Sequence, residues 1–262
     1  MSSSVSKSQT RLVVLLLCSL PVFYYILHLH PTLYERRLSE ANSSNLESRK
    51  QTLKILCFGD SLTAGQRPRE TSKPLTFYSY AVRLEKLLRQ GIKEHARLSQ
   101  FSSVVVQNQG KPGELAVGAM KRRLIGLLKG NETFDLVIIL GGTNDLAFLK
   151  KKPSIAANVT TIIKALLDLH ELCHYFNVRT VVVTIPPRRC DIERTCKKTS
   201  MARRYINTKL YHYATRTPIR TLFVDLARFF KSSKLFSDFV HFTDKGYDKM
   251  ADIFFYLIKE RF

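Results

Sequence analysis

Acidic residues are scarce. Twenty-one Asp and Glu stand against 42 Lys and Arg, leaving a formal net charge of +21 on 262 residues. Such an excess favours contact with anionic surfaces but decides nothing about fold. The signatures that turn a basic chain into a reader of nucleic acid are missing. No helix-turn-helix, zinc finger or aromatic RNA-binding motif accompanies the short clusters Lys121-Arg122-Arg123, Lys150-Lys151-Lys152, Arg188-Arg189 and Arg203-Arg204. Nucleic acid is therefore set aside as a partner, and the clusters read as a solvated basic face. No internal repeat is present, which excludes an array or solenoid. Cysteine is sparse, five in all. Cys190 and Cys196 bracket a short polar loop and are candidates for a disulfide in an oxidising compartment. Cys57 falls in an apolar run and Cys173 in a helical pattern, where inert packing is the expectation. What remains, 45% apolar residues with aromatics spread throughout, is the composition of one sizeable globular domain.

The N-terminus is of another kind. Residues 1–11 are polar and basic, and Leu12 to Leu29 is almost wholly apolar, flanked by Lys7, Arg11, Arg36 and Arg37. A run of about 18 residues suffices to cross a bilayer as a helix, and Pro21 is tolerated there. A single-pass signal anchor is the expectation, with residues 1–11 cytosolic and the rest of the chain lumenal or extracellular, on a membrane of the secretory pathway. The alternative is a cleaved signal peptide and a secreted protein. Three sequons agree with either reading, at Asn42, Asn131 and Asn158. Residues 30–52 are polar and aperiodic and read as a stem.

From residue 53 onward, short apolar runs alternate with helix-length segments. Lys54–Phe58, Val104–Gln107, Leu136–Leu140, Thr180–Ile185 and Leu222–Leu226 suit strands buried on both faces of a parallel sheet. Phe77–Leu88, Glu114–Leu128, Ser154–Phe176, Thr199–Thr215 and Asp244–Lys259 suit helices. The alternation predicts a three-layer α/β/α sandwich with a mostly parallel, flavodoxin-like sheet over 53–262. In open sheets of that kind, sites form at the carboxyl ends of the strands.

Four motifs fall at those ends. Gly59-Asp60-Ser61-Leu62 follows the first strand and offers a hydroxyl at the sheet edge; Thr63 stands where a Gly-x-Ser-x-Gly elbow would need its second glycine. Asn108-Gln109-Gly110-Lys111-Pro112-Gly113 follows the second strand, with Gly113 free to bring backbone close to a substrate. Gly142-Thr143-Asn144-Asp145 follows the third, and Asn144 either aims its amide at a developing oxyanion or caps the following turn. Asp238-Phe239-Val240-His241 precedes the last helix, at a spacing that lets the carboxylate hold one ring nitrogen while the other faces Ser61.

Together these motifs resemble the SGNH hydrolase superfamily, the GDSL esterases and lipases, over about Lys54 to the C-terminus. The resemblance implies a serine esterase with Ser61 as nucleophile, His241 as base and Asp238 orienting it. It also implies an oxyanion hole of the Ser61 and Gly113 N–H groups and the Asn144 amide, with no metal or organic cofactor. Members act on acetylated sugars, lysophospholipids, thioesters and simple esters, and some are acyltransferases on the same site. The expected partner is an ester substrate. The loops Gln66–Thr76 and Arg188–Thr199, both basic, point to an anionic one, with Arg188, Arg189 or Arg194 meeting its charge. Nothing in these features sets an oligomeric state.

One rival motif is present. His170-Glu171-Leu172-Cys173-His174 satisfies His-Glu-x-x-His on a helical segment, the signature of a zinc metallopeptidase, with Glu193 downstream as a third ligand. That helix is the crossover after the third strand, away from the strand ends, so its histidines read as surface or partly packed groups.

Overall fold

The computed structural model describes residues 51–68, 74–149 and 155–262. The anchor, the stem up to residue 50, the Asn42 sequon and part of the Gln66–Thr76 loop lie outside the described residues. The described chain forms one unit that starts at Gln51.

Five strands, β1 (Gln51–Gly59), β2 (Phe101–Gly110), β3 (Leu136–Leu140), β4 (Arg179–Val183) and β5 (Thr221–Val224), form one sheet in the order β2-β1-β3-β4-β5. Every pairing is parallel. β1 begins two residues ahead of the expected domain start because Gln51 and Thr52 already pair with β2. Successive residues of β1 divide between two cores: Leu53, Ile55 and Cys57 face one, Leu56 and Phe58 the other. β3 divides the same way, Leu136, Ile138 and Leu140 against Val137 and Ile139. Two buried faces explain the unbroken apolar runs. On the first face pack α2 (Tyr80–Glu94) and the final helix α9 (Asp244–Arg261), through Leu84, Leu88, Tyr247, Met250 and Phe254. On the second lie α3 (Lys121–Leu128), α5 (Ile155–Tyr175) and α7 (Lys197–Arg216). Leu124, Leu166, Leu169, Ile206 and Leu210 fill that layer.

Four short helices escape a periodicity argument because each is four to six residues long. They are α1 (Ser61–Ala64), α4 (Thr143–Phe148), α6 (Arg189–Ile192) and α8 (Leu226–Phe229). All four follow a strand on its carboxyl side. The segment expected as one helix from Glu114 is broken instead. Ala116–Met120 makes a wide turn, with Val117 and Gly118 out of helical conformation, before α3 starts at Lys121. Among the described residues no helix is long and apolar enough to cross a membrane.

Candidate active site

β1 ends at Gly59, and Asp60 caps α1 by accepting the Leu62 N–H at 2.9 Å. This sharp strand-to-helix turn sets Ser61 on the first position of α1, 3% exposed. From the opposite side, the loop ahead of α9 brings in His241. Its Nε2 lies 3.0 Å from Ser61 Oγ, across 180 residues of sequence. Its Nδ1 lies 2.7 Å from Asp238 Oδ2. Asp238 is fixed in turn: Oδ1 accepts the Val240 and His241 N–H groups, each at 2.7 Å. Partial burial works against ionising Asp238. The bonds from the His241 ring and the two N–H groups outweigh it and bring its pKa down to about 2.

The second and third motifs meet beside Ser61's strand. Gly113 has φ of 76°, a conformation that favours glycine, although a Cβ there would meet no atom within 4 Å. Asn144 Nδ2 donates to the Glu114 carbonyl at 3.0 Å, which leaves its second N–H for another acceptor. Of the two sequence readings for Asn144, neither describes this bond: the amide ties the β3 loop to the β2 loop. Asp145, whose role the sequence did not disclose, reinforces the tie by accepting the N–H groups of Ala116 at 2.9 Å and Val117 at 3.1 Å.

Asp60 is a second carboxyl that sequence reasoning passed over. It is fully buried, and its Oδ2 has no hydrogen-bond partner. Burial, with the charges of Asp145 and Glu114 adding to it and the Leu62 N–H and His241 opposing, pushes its pKa up to about 7 from an ordinary 3.8. Between those two values the native state holds a proton that the unfolded chain has released, so stability falls as pH rises through that window. Asp60→Asn keeps the cap acceptor and removes the titration. Its Tm relative to wild type is expected to climb between pH 5 and pH 8, and a constant difference would show that Asp60 ionises normally.

The Arg188 loop engages two of its three candidate arginines. Arg188 is directed inward and donates to the Thr143 carbonyl, next to Asn144. Arg189 pairs with Glu193 at 3.0 Å. Of the three arginines offered to an anionic group, only Arg194 is exposed and without a hydrogen bond or ion pair among the described residues. The Arg189 N–H donates to the Phe239 carbonyl, so this loop touches the segment that carries His241. Cys190 and Cys196 lie with Cα atoms 5.5 Å apart, inside the range a disulfide requires, and the sulfurs are at bonding distance. Cys57 and Cys173 are buried, as packing would have them.

The His-Glu-x-x-His motif is remote from these groups and otherwise engaged. His170 and His174 are buried, not superficial, at 1% and 6% exposed. Both contact Thr180 Oγ1 at the start of β4, the opposite end of the sheet from Ser61, at 3.0 and 3.2 Å. Tyr213 stacks on His174 and bonds its other ring nitrogen. Burial, with the neighbouring His174 adding to it, lowers the His170 pKa to about 3. Glu193 sits on the far loop paired with Arg189. No group of three His, Cys, Asp or Glu among the described residues is placed to hold a metal ion. The zinc-peptidase reading fails because the imidazoles serve as polar packing between α5, β4 and α7.

Residues 57–249 match the model of the GDSL-like lipase/acylhydrolase family. The chain belongs to that family. No curated protein sequence matches it. Solved structures share the fold at low identity. A lipolytic protein of the G-D-S-L family from Veillonella parvula is 20% identical, with a TM-score of 0.54 over 76% of this chain and 94% of that one. The aryl esterase of M. smegmatis is 20% identical, with a TM-score of 0.53 over 80% of this chain and all of the other. An acetyl xylan esterase from Geobacillus stearothermophilus is 20% identical, with a TM-score of 0.52 over 80% and 97%. This GDSL-family chain is a hydrolase acting on esters, and the five-stranded parallel sheet flanked by helices is the family's architecture.

Proposed function

We propose that this enzyme cleaves carboxylic esters through an acyl-enzyme on Ser61. The observation that carries the reading is the unbroken chain from Ser61 Oγ to His241 Nε2 at 3.0 Å and from His241 Nδ1 to Asp238 at 2.7 Å. Ser61 Oγ attacks the ester carbonyl carbon while His241 Nε2 takes its proton. The N–H groups of Ser61 and Gly113 and the remaining Asn144 N–H receive the oxyanion. On collapse, His241 returns the proton to the leaving alcohol, and water then repeats the cycle on the acyl-enzyme. Asp238, ionised at any assay pH, steadies the imidazolium.

The experiment is labelling with a fluorophosphonate, coupled to hydrolysis of short- and long-chain esters and acetylated glycans. Ser61 is expected to carry the label and a chelator to leave hydrolysis unchanged; label elsewhere would overturn the assignment. The anionic-substrate reading now rests on Arg194. Arg194→Ala should raise KM for an ester with a carboxylate on either side and leave a neutral ester alone, and equal effects on both would remove it.

We further propose that residues 12–29 anchor the enzyme in a secretory-pathway membrane with this domain lumenal or extracellular. Asn131 supports it, standing exposed in the loop before β3. Asn158 is a poorer acceptor because it lies on helix α5 and is half-buried. An oxidising lumen would also keep Cys190 and Cys196 joined. Mass spectrometry of unreduced, deglycosylated peptides from eukaryotic cells is expected to find a glycan scar at Asn131 and a Cys190–Cys196 peptide. Free thiols with no scar would remove the lumenal placement.

A further inference from the structure

We infer that Arg123 is a positioning residue that holds the oxyanion donors of Ser61 and Gly113 in register. The inference rests on the serine-esterase reading above. Lys121 and Arg122 in the same cluster are exposed, and Lys121 pairs with Asp168 at the surface. Arg123, one helical step on and next to buried Leu124, is directed the other way, its side chain only 20% exposed.

Its guanidinium reaches three places at once. Nη1 donates to the Gln109 carbonyl at 2.8 Å and Nη2 to the Gly59 carbonyl at 3.0 Å. These two carbonyls close the carboxyl ends of β2 and β1, where Gly59 pairs with Gly110. Nε donates to both carboxylate oxygens of Glu114 at 3.0 Å, and Nη2 adds a further short bond to Oε2. The plane of the fork lies over the Phe58 ring, 4.1 Å from its centroid. Glu114 is 3% exposed in its side chain. An unpaired carboxylate at that depth would be costly, so the pair is obligatory once the site is closed.

The placement of these partners is what gives the clamp a catalytic consequence. Gly59 lies two residues before Ser61, and Glu114 directly follows Gly113. Asn144 bonds the carbonyl of the same Glu114. One planar fork therefore sets the separation between the segments that carry all three proposed donors. An oxyanion hole is sensitive to such separation, since its donors must meet the tetrahedral oxygen and not the ground-state carbonyl. Lysine keeps the charge but lacks the fork, and cannot hold two carbonyls and a carboxylate together.

The test compares Arg123→Lys and Glu114→Gln with wild type, and with Arg83→Lys as a surface ion-pair control (Arg83 bonds Asp252 at 2.9 Å). Kinetics on a short-chain nitrophenyl ester are measured alongside inhibition by an alkyl boronic acid, which forms a tetrahedral adduct on the serine. Arg123→Lys is expected to lower kcat about 100-fold, the cost of misplacement on the scale of 1 Å, with KM within twofold. The boronate inhibition constant should rise by a similar factor, since both report transition-state binding. A merely structural arginine would lower the fraction of enzyme that a fluorophosphonate titrates, and not kcat per titrated site. Unchanged kcat per site, or a kcat loss without weaker boronate binding, overturns the clamp. Should Arg123→Lys not fold, Glu114→Gln carries the same paired requirement, because the amide keeps one acceptor for the fork. Undiminished hydrolysis by Ser61→Ala would instead remove the serine-esterase reading and the clamp with it. Ser61-dependent hydrolysis with undiminished Arg123→Lys would remove the clamp alone.

Discussion

Ser61→Ala is expected to lower kcat by about 10⁵- to 10⁶-fold on the scale of other serine triads, with KM little changed. The hydroxyl forms no strong ground-state bond to an ester; its bond to carbon exists only along the reaction, so its loss falls on kcat. His241→Ala should cost about as much, because in the proposed mechanism the serine proton leaves along the 3.0 Å contact between Nε2 and Oγ. The double variant should be no worse than either single one, since the two groups act as a unit. Asp238→Asn should cost about 10⁴-fold while leaving the fold intact. The asparagine oxygen can keep the two backbone N–H bonds, but its Nδ2 is a donor and cannot accept the bond from Nδ1–H, so the imidazole loses its tautomer and orientation. Residual hydrolysis, from the oxyanion donors alone, should survive in all of these variants and fall further when Asn144→Ala is added. Additive losses for Ser61 and His241 would mean that they do not share a proton, and the mechanism would fall with them.

The fold was legible to the extent that burial is two-sided. β3 matches the apolar run Leu136–Leu140 residue for residue, since every one of its side chains is buried. β1 and β2 extend beyond their apolar runs because pairing at their ends uses backbone groups, which polar residues such as Gln51 and Gln109 supply as well as valine does. What was legible of the site is the grouping of Ser61, Asp238 and His241, whose motif spacing anticipates the hydrogen-bonded chain between them. The site was not legible where the role is support. Arg123 looks like a member of a basic surface run, and only its partners Gln109, Gly59 and Glu114, in or beside the motifs and away from it in sequence, show that it points inward. Asp60 and Asp145 sit within the motifs, yet a motif does not disclose that one has an unpartnered oxygen and the other holds two N–H groups. His170 and His174 mislead for the converse reason. Helical spacing puts them on one face, but that face turns to Thr180 and Tyr213 instead of solvent.

Gly59→Ala is expected to damage both the fold and the site with a single methyl group. A Cβ at Gly59 would lie 2.1 Å from the Leu140 carbonyl oxygen and 2.3 Å from Thr63 Oγ1. Leu140 is the register partner of Gly59 in β3, so its oxygen belongs to the sheet and has no rotamer by which to retreat. Thr63 belongs to α1, whose start carries Ser61. Relief therefore requires prying β1 from β3 or lifting α1, and either movement displaces the serine from His241 and the Gly59 carbonyl from Arg123. Overpacking of this kind costs about 3 kcal/mol or more when the neighbour is rigid. For a domain of this size that lowers Tm by roughly 6–12 °C. Gly126→Ala is the matching control of opposite sign. It lies on exposed helix α3, where a Cβ would meet nothing within 4 Å, so alanine should stabilise by about 0.5–1 kcal/mol. Denaturation and fluorophosphonate titration on both variants separate the effects. Gly59→Ala should lose stability and also kcat per titrated site, because the clash lies between the sheet and the helix that carries Ser61. A Gly59→Ala enzyme as stable and as active as wild type would mean that β1 and β3 do not close on each other beneath Ser61, and the geometry assigned to the oxyanion site would have to be abandoned.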